Sequence, residues 1–213
     1  MRIKKMRKQL NKDFTIRLEE QKDYFETENL VRESFWNVYC PGCSEHFVLH
    51  VLRDCPDFIG DLDFVMEKDG KLIGQVVFVK SHIDMGNGEK KEIATFGPIS
   101  IAPEYKRQGY GSALLDYAME KAAKLNVGAL AICGNESFYG TLGFEKAKNF
   151  GILYEDDPTA DYFLIKELKK GFLSGINGTY HDPQEYFVND ADVEDFDKKF
   201  PPKQKLKLPG QLF

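Results

Sequence analysis

The chain has 213 residues, of which 42% are hydrophobic, so it can form a substantial core and is not of the disordered or collagen-like class. No apolar run approaches the roughly 20 residues that a membrane-spanning helix needs, and the basic start has no apolar stretch behind it. Neither a membrane protein nor a secreted one is therefore expected. Four cysteines are too few for a disulfide scaffold and predict reduced thiols in the cytoplasm.

The formal charge of −5 is unevenly distributed along the chain. Residues 1–12 contain six Lys or Arg and no acid, which leaves 23 basic against 34 acidic residues in the remainder. Phosphate neutralisation dominates affinity for duplex DNA, so a body this acidic is a poor nucleic-acid binder. Residues 1–12 are predicted to form a basic, solvated tail.

The first elements predicted along the chain are a strand and two helices. The strand is expected at Thr15–Leu18 and the first helix from about Lys22 to Phe35. Pro41-Gly42 breaks the chain, and the second helix runs from Ser44 to the stop at Cys55-Pro56.

Three segments rich in β-branched residues come next, separated by turn signals of the Asp-Gly and Asn-Gly type. Pro98 lies inside the third segment, which indicates either a sheet edge or a bulge at that point. The pattern predicts a three-stranded antiparallel meander. Its strands are expected at 62–67, 72–82 and 92–101.

Beyond the meander, helical and strand periodicities alternate. A helix with one apolar face is expected from Ser112 to about Asn126. The apolar segment Gly128–Cys133 is typical of a strand that is covered on both faces. A brief helix near Ser137–Leu142 and two strands, at 151–154 and 162–168, complete the predicted domain.

Residues 171–213 differ in kind from the rest and are predicted to be a C-terminal extension. Residues 179–181 and 186–188 are expected to pair as a hairpin, and Asn189 to cap a final acidic helix. The aromatic content of the extension indicates that it packs either on the domain or on a second subunit, in which case the protein is a homodimer.

The loop at residues 102–112 carries the strongest chemical signal in the sequence. Backbone N–H groups in such a loop, at the start of a helix, favour an anion such as a pyrophosphate, and Lys106 and Arg107 add positive charge. Glycines let the backbone approach the ligand closely. The string that defines a Walker loop is absent, and a dinucleotide fingerprint would need glycine at Leu114. Two interpretations of the loop remain: it binds acyl-CoA, or it is a glycine-rich turn that only caps the helix.

At this point the sequence resembles the GNAT superfamily of acyl-CoA-dependent N-acyltransferases. Residues 106–111 (Lys-Arg-Gln-Gly-Tyr-Gly) match the family pattern Arg/Gln-x-x-Gly-x-Gly/Ala, except that Lys106 replaces the usual Arg or Gln. Residues 138–144 match Phe-Tyr-x-x-x-Gly-Phe. The resemblance implies an α/β fold over residues 13–170, with a mixed, mostly antiparallel sheet that is flanked by helices and splayed at the acyl-CoA site.

The resemblance also implies acetyl-CoA as the acyl-donor cosubstrate and no metal. The amides of residues 108–112 would hold the pyrophosphate, the third meander strand would pair with pantetheine, and a bulge at Gly97-Pro98 would aim an N–H at the thioester oxygen. The cofactor-binding residues implied in this way are Ile99, Ile101, Lys106, Arg107, Gln108, Gly109, Tyr110, Gly111, Ser112, Asn135, Phe138 and Tyr139.

The implied reaction is transfer of an acetyl or short acyl group to an amine by direct attack in a ternary complex. The departing thiolate needs a proton, and Tyr139 is the predicted general acid. Glu92 is the predicted base, with a water relay or no dedicated base as alternatives. A non-catalytic acyl-CoA sensor is the rival function, because the usual strand glutamate is missing; a nucleotide-dependent oxidoreductase is a distant third.

The acceptor is expected to be a small-molecule or peptide amine. Residues 155–197 contain 12 acids against three lysines, so a cationic amine is favoured if this stretch borders the acceptor pocket. Aromatic rings and an acid can hold an amine through cation–π and charge contacts. The predicted acceptor contacts are Trp36, Tyr39, Glu45, His46 and His82.

Cysteine and histidine residues near the second helix suggest a zinc site. Cys40, Cys43, His46 and His50 are four nominal ligands, but all lie within eleven residues, where two-Cys, two-His sites put about a dozen between the pairs. A turned loop with packed side chains is therefore expected instead. Cys133 is expected to be a strand thiol rather than a nucleophile, because no histidine is near it in sequence.

Overall fold

In a computed structural model of the chain, residues 13–212 are described; the predicted basic tail at 1–12 lies outside this range. Within it, nine strands form one sheet. The main order is β1-β2-β3-β4-β5-β8-β6, and β9 joins β7 to the edge of β3. The strands are β1 Phe14–Leu18, β2 Phe64–Lys68, β3 Lys71–Asp84, β4 Lys90–Ile101, β5 Ala129–Cys133, β6 Glu145–Lys146, β7 Ile152–Tyr154, β8 Phe163–Glu167 and β9 Gly178–Tyr180.

Neighbouring strands of the main order are antiparallel, except that β4 and β5 are parallel. This confirms the predicted mixed, mostly antiparallel sheet, and β2, β3 and β4 are the predicted meander. Five α-helices accompany the sheet over the same residues. They are α1 Tyr24–Phe35, α2 Glu45–Leu52, α3 Tyr110–Lys124, α4 Glu136–Tyr139 and α5 Asp190–Asp197.

Helices cover both faces of the sheet because strand side chains alternate between the faces. Phe78, Ala94 and Phe96 pack in one core with the apolar face of α3, which contributes Leu114 and Leu115. The residues between them, including Val77 and Val79, pack on the opposite face against α1 and α2. We call these the α3 face and the α1 face.

The sheet opens between β4 and β5. These strands pair at two positions, Ala94 with Leu130 and Thr95 with Ala131. Immediately beyond, Gly97 and Pro98 together lie opposite Val77 of β3, and the ladder register shifts. Both readings of Pro98 therefore apply: the register shift is the predicted bulge, and the described pairing of β4 with β5 ends at Thr95, so Pro98 also lies on an open edge. A bulge increases the local twist and so carries the end of β4 away from β5.

Residues 171–212 pack against the rest of the chain. Strand β9 pairs with β7 and with β3 at Ile83 and Asp84, and a short 3-10 turn covers Gln184–Tyr186. The predicted hairpin of 179–181 with 186–188 is therefore wrong. A lone two-stranded hairpin is marginal in water, whereas β3 and β7 offer edges of an existing sheet.

The end of the extension contacts the loop between α1 and α2. Asn37 organises this contact: its side chain donates to the carbonyl of Gln204 and accepts from the amides of Leu206 and Gly42. The amide of Leu212 donates to the carbonyl of Tyr39. No helix among residues 13–212 is long and apolar enough to cross a membrane.

Candidate active site

The loop predicted to bind an anion is shaped by two residues in the left-handed region. Arg107 has φ 61° and Gly109 has φ 96°, and α3 begins directly afterwards at Tyr110. Successive amides in such a conformation form a concave nest, and the positive end of the helix dipole adds to its attraction for anions. The geometry suits a pyrophosphate, as the sequence predicts.

Side-chain contacts anchor this loop to the body of the protein. The Lys106 ammonium donates to the carbonyl of Ser34 on α1 at 2.6 Å, and the Gln108 amide donates to the carbonyl of Glu104 at 2.7 Å. Partial burial, with the charge of Arg107, lowers the pKa of Lys106. The Lys106 ammonium is therefore engaged with α1, while Arg107 is an exposed cation of the loop.

Several predicted cofactor residues meet at the start of α3. A side chain added at Gly111 would contact Ile101 and the Phe138 ring at 3.6 Å, so these three residues are neighbours. Ser112 follows in the first turn of α3, and Ile99 lies on β4 just past the bulge. The structure thus gathers the loop, the end of β4 and α4 around one opening in the sheet.

Asn135 caps the short helix α4 rather than facing the loop. Its side-chain oxygen accepts from the Ser137 amide at 2.8 Å and from the Ser137 hydroxyl at 2.6 Å. An N-cap of this kind fixes the first turn of a helix. Asn135 therefore positions the residues that follow it, which include Tyr139.

Tyr139 lies at the same opening and is 8% exposed. Its ring packs edge-on to Phe96, Phe138 and Phe144, and it leaves no room for a side chain at Gly134. Burial raises the pKa of Tyr139. No hydrogen bond joins its hydroxyl to the residues that the structure describes. Tyr139 is therefore a tightly packed, protonated phenol whose hydroxyl can donate a hydrogen bond to a ligand.

One predicted acceptor contact, Tyr39, lies within electrostatic range of Tyr139, and a second, Glu45, lies within range of Tyr39. Burial raises the pKa of Tyr39, the negative charge of Glu45 raises it further, and Tyr39 in turn raises the pKa of Tyr139. Burial also raises the pKa of the Glu45 carboxyl. Trp36 lies further back: its indole N–H donates to the carbonyl of Gln204, and the Arg32 guanidinium lies over its ring.

The remaining predicted residues lie away from this opening. Glu92 pairs with His82 across β3 and β4, and it lines a pocket of about 390 Å³ beside the C-terminal end of α3, with Lys80 and Phe172 on the same wall. The loop at residues 102–112 is at the other end of that helix. His82 and Glu92 are therefore not brought to the opening by this fold.

His46 is completely buried and lies within the packing between α2 and the C-terminal extension. Its Nδ1 lies 3.5 Å from the Cys43 thiol and its Nε2 lies 3.2 Å from Asp197. His50 points elsewhere and contacts the Glu28 carboxylate. His46 therefore does not line an acceptor surface, contrary to its predicted place among the acceptor contacts.

Acid is expected to destabilise the protein through His46. Burial lowers the pKa of His46 to about 4 from the ordinary 6.5. Between these values the unfolded chain binds the extra proton, so stability falls as the pH falls through the window, by up to about 3 kcal/mol. We expect His46→Gln to flatten the decline in urea midpoint between pH 7 and pH 5, and the exposed-site control His181→Gln to keep it. A wild-type slope in His46→Gln would contradict this.

The structure adds a second group of residues that the sequence analysis did not single out. The Tyr186 hydroxyl donates to the carbonyl of Gly97 at the bulge (2.8 Å), and the Tyr154 hydroxyl donates to Asp182 (2.6 Å). Cys133 lies at the end of β5 beside Tyr154 and Asp182. Tyr186 is 89 positions from its partner, and no local spacing signals such a contact.

Comparisons with known proteins agree with this fold. Residues 61–146 match the family model described as "Acetyltransferase (GNAT) domain". YhbS of Escherichia coli, a GNAT family N-acetyltransferase solved in complex with CoA, is 22% identical with a TM-score of 0.72, covering 82% of this chain and 92% of that one. A GNAT family acetyltransferase of Brucella melitensis, solved with acetyl-CoA, is 19% identical with a TM-score of 0.64, covering 82% and 98%.

A more distant structural match is the ribosomal-protein-S18-alanine N-acetyltransferase of Escherichia coli, at 17% identity and a TM-score of 0.50 over 73% of this chain and 94% of that one. No curated protein matches the sequence significantly. Residues 61–146 thus match a GNAT acetyltransferase domain, and the chain shares the fold of the GNAT N-acetyltransferases named above.

Proposed function

We propose that this protein transfers an acetyl or short acyl group from acyl-CoA to an amine, by direct attack in a ternary complex. The observation that carries the proposal is the juxtaposition of three parts at one opening: the nest at Arg107 and Gly109, the splayed end of β4, and the Tyr139 hydroxyl. Each part suits one portion of an acyl-CoA molecule. The two structural relatives solved with CoA or acetyl-CoA support the choice of cosubstrate.

The nest would hold the pyrophosphate, and Ile99 and Ile101 would pair with the pantetheine arm along the splayed end of β4. The bulge would supply the oxyanion donor. Because proline has no N–H, the amides available there are those of Gly97 and Ile99. Tyr186 supports this arrangement, since its hydroxyl holds the Gly97 carbonyl and thereby orients the adjoining peptide plane.

Tyr139 would act as the general acid for the departing thiolate. Because burial raises its pKa, the phenol stays protonated throughout the physiological range. A CoA thiolate has an ordinary pKa of about 8.5 and would receive a hydrogen bond, and then the proton, from this phenol. Glu92 remains the sequence-based prediction for the base, but its place at the far end of α3 favours a water relay.

Tyr39 and Glu45 are proposed to receive the acceptor. A half-buried carboxylate next to an exposed aromatic ring attracts an ammonium group before its proton is lost. The rival reading, a non-catalytic acyl-CoA sensor, predicts the same cosubstrate binding without turnover. The two functions therefore separate in a single assay.

The proposed function is tested by titrating the protein with acetyl-CoA in a calorimeter and by measuring thiol release with a panel of amines. Binding together with amine-dependent release supports the transferase, and binding alone across a broad panel supports the sensor. Absence of acetyl-CoA binding contradicts both.

A glycine pair tests the nest itself. Gly109→Ala places a side chain at φ 96° in the loop, whereas Gly88→Ala imposes a comparable strain at φ 86° in the distant β3–β4 turn. Strain of this kind costs about 1–3 kcal/mol, so both variants should unfold earlier. We expect a rise of about 10-fold in the dissociation constant of acetyl-CoA for Gly109→Ala only. Equal affinities in the two variants would remove the loop from the binding site.

A further inference from the structure

The C-terminal extension forms a small group of polar side chains on the side of the sheet opposite α3. Along β5, Ala129 and Ala131 lie in the core on that side and Leu130 lies in the core under α3. By alternation, Cys133 points away from α3. Tyr154 of β7 and Asp182 of the extension lie beside it, so the three side chains border the opening from the side that the nest and Tyr139 leave free.

This group is tied directly to the bulge. Tyr186, four residues after Asp182, donates a hydrogen bond from its hydroxyl to the Gly97 carbonyl. Burial is the main cause of the raised pKa of Tyr186, and the charge of Asp182 is the second. Tyr180 of β9 is 1% exposed, and burial, followed by the charge of Asp182, raises its pKa well above the ordinary value.

The charge of Asp182 has no counterion in the described part of the chain. Its hydrogen-bond partner there is the neutral Tyr154 phenol. Neighbouring acids differ: Glu155 contacts His181, and Asp161 contacts Lys146. The groups that surround Cys133 add no positive charge; burial and the charges of Asp182 and Asp156 raise the pKa of its thiol to about 12. The two charges that act on the Cys133 thiol, those of Asp182 and Asp156, are both negative.

Aromatic rings complete the walls of this region. The Tyr154 ring lies edge-on to Tyr162, which is 46% exposed, and is stacked on Phe163. A cation bound at Asp182 would therefore meet a carboxylate, a phenol oxygen and exposed aromatic surface, which together form the environment that organic ammonium groups prefer.

We propose that Asp182 binds a cationic group of the acceptor other than the nitrogen that is acylated, so that the preferred acceptors are diamines or amines with a second positive charge. This rests on the proposed function. The reacting nitrogen must be neutral when it attacks, and a partner that stays ionised would keep it protonated. Burial raises the pKa of Glu45, so that carboxyl holds its charge less firmly than an ordinary acid. Asp182 is therefore better suited to a charge that persists through the reaction, while the reacting nitrogen lies nearer Tyr39 and Tyr139.

The kinetic test compares Asp182→Asn with wild type on 1,5-diaminopentane and on n-pentylamine, which differ in the second ammonium. Asparagine keeps an oxygen for the Tyr154 hydroxyl and removes the charge. We expect Asp182→Asn to lower kcat/KM for the diamine by about 30-fold and for the monoamine by less than about 3-fold, with the KM for acetyl-CoA unchanged. Glu155→Gln, which removes a charge already paired with His181, should behave as wild type. Equal losses on both amines, or none, overturn the proposal.

A second measurement does not depend on turnover. The Cys133 thiol keeps an accessible surface, so its reaction with a cationic and an anionic methanethiosulfonate reports the local field, with Cys133→Ser identifying the labelled residue by mass. We expect the cationic reagent to react faster in wild type and the ratio of rates to fall by about 10-fold in Asp182→Asn. An unchanged ratio overturns the cation site. If wild type binds acetyl-CoA, acylates no amine and shows this fall, the transferase proposal fails while the cation site stands.

Discussion

Replacing Tyr139 by phenylalanine is expected to lower kcat by about 100-fold or more, since general acid catalysis typically contributes this much. The ring packing on Phe96, Phe138 and Phe144 does not involve the hydroxyl, so the fold should be unchanged. Acetyl-CoA affinity should also stay within about 2-fold, because the phenol hydrogen bond strengthens only as the thiolate departs. Steady-state kinetics and calorimetry on the same preparation check both statements. An unchanged kcat would remove Tyr139 from the mechanism.

A pair of glycine variants tests whether the position of Tyr139 matters as well as its hydroxyl. A side chain at Gly134, just before α4, would come within 2.3 Å of the Tyr139 ring. One at Gly140, just after α4, would meet its nearest neighbour at 3.9 Å. Gly134→Ala is therefore expected to displace the ring and to reduce kcat while leaving the hydroxyl present. Gly140→Ala is the matched control and should keep wild-type kcat. Full activity in Gly134→Ala would show that ring placement is not critical.

The second large effect is expected for stability, at Asp197 on α5. Asp197 contacts the Arg32 guanidinium through both oxygens, at 2.5 and 3.2 Å, and lies 3.2 Å from His46. The Arg32 side chain is wholly buried. Removing the carboxylate leaves the buried guanidinium facing the more distant and partly exposed Glu33, at 3.6 Å, and we expect Asp197→Asn to lower the free energy of unfolding by about 3 kcal/mol.

Asp195 supplies the control on the same helix. It contacts Lys198 at the surface, where the Asp195 side chain is 82% exposed and the Lys198 side chain 75%. An exposed pair of this kind contributes about 0–1 kcal/mol, so Asp195→Asn should unfold almost as wild type does. Urea unfolding of both variants checks the comparison. Equal losses would mean that the buried ion pair does not hold the extension to α1.

The parts of the site that could be read from the sequence are those encoded locally. The loop before α3 needs glycine at a left-handed position and a helix immediately afterwards, and both requirements fall within residues 106–115. The packing of Tyr139 depends on its neighbour Phe138 and on Phe144, within the same short motif. The bulge was signalled by Pro98 inside an otherwise regular strand, because proline cannot take part in a continuous ladder.

The placement of acids and histidines could not be read in the same way. Glu92 has the chemistry of a base and His46 that of a ligand. Whether either side chain reaches the opening depends on its place in the fold, and neither does. His46 is enclosed by α5, an element more than 140 residues away along the chain, and Glu92 is carried by the strand to the other end of α3. Both outcomes depend on contacts between distant segments, which no local pattern records.

The amino-acid sequence by itself predicted an anion-binding loop before α3, since turn conformation and helical periodicity are short-range properties. The class of fold and the tyrosine beside the loop were predicted from the resemblance of two short motifs to the GNAT superfamily. The sequence also showed that the negative charge is concentrated late in the chain. The tertiary structure alone decided what that charge does: it pairs Asp197 with a buried arginine, whereas Asp182, beside the opening, has no counterion among residues 13–212. Two aspartates fifteen positions apart thus differ in role because folding desolvates each against different neighbours.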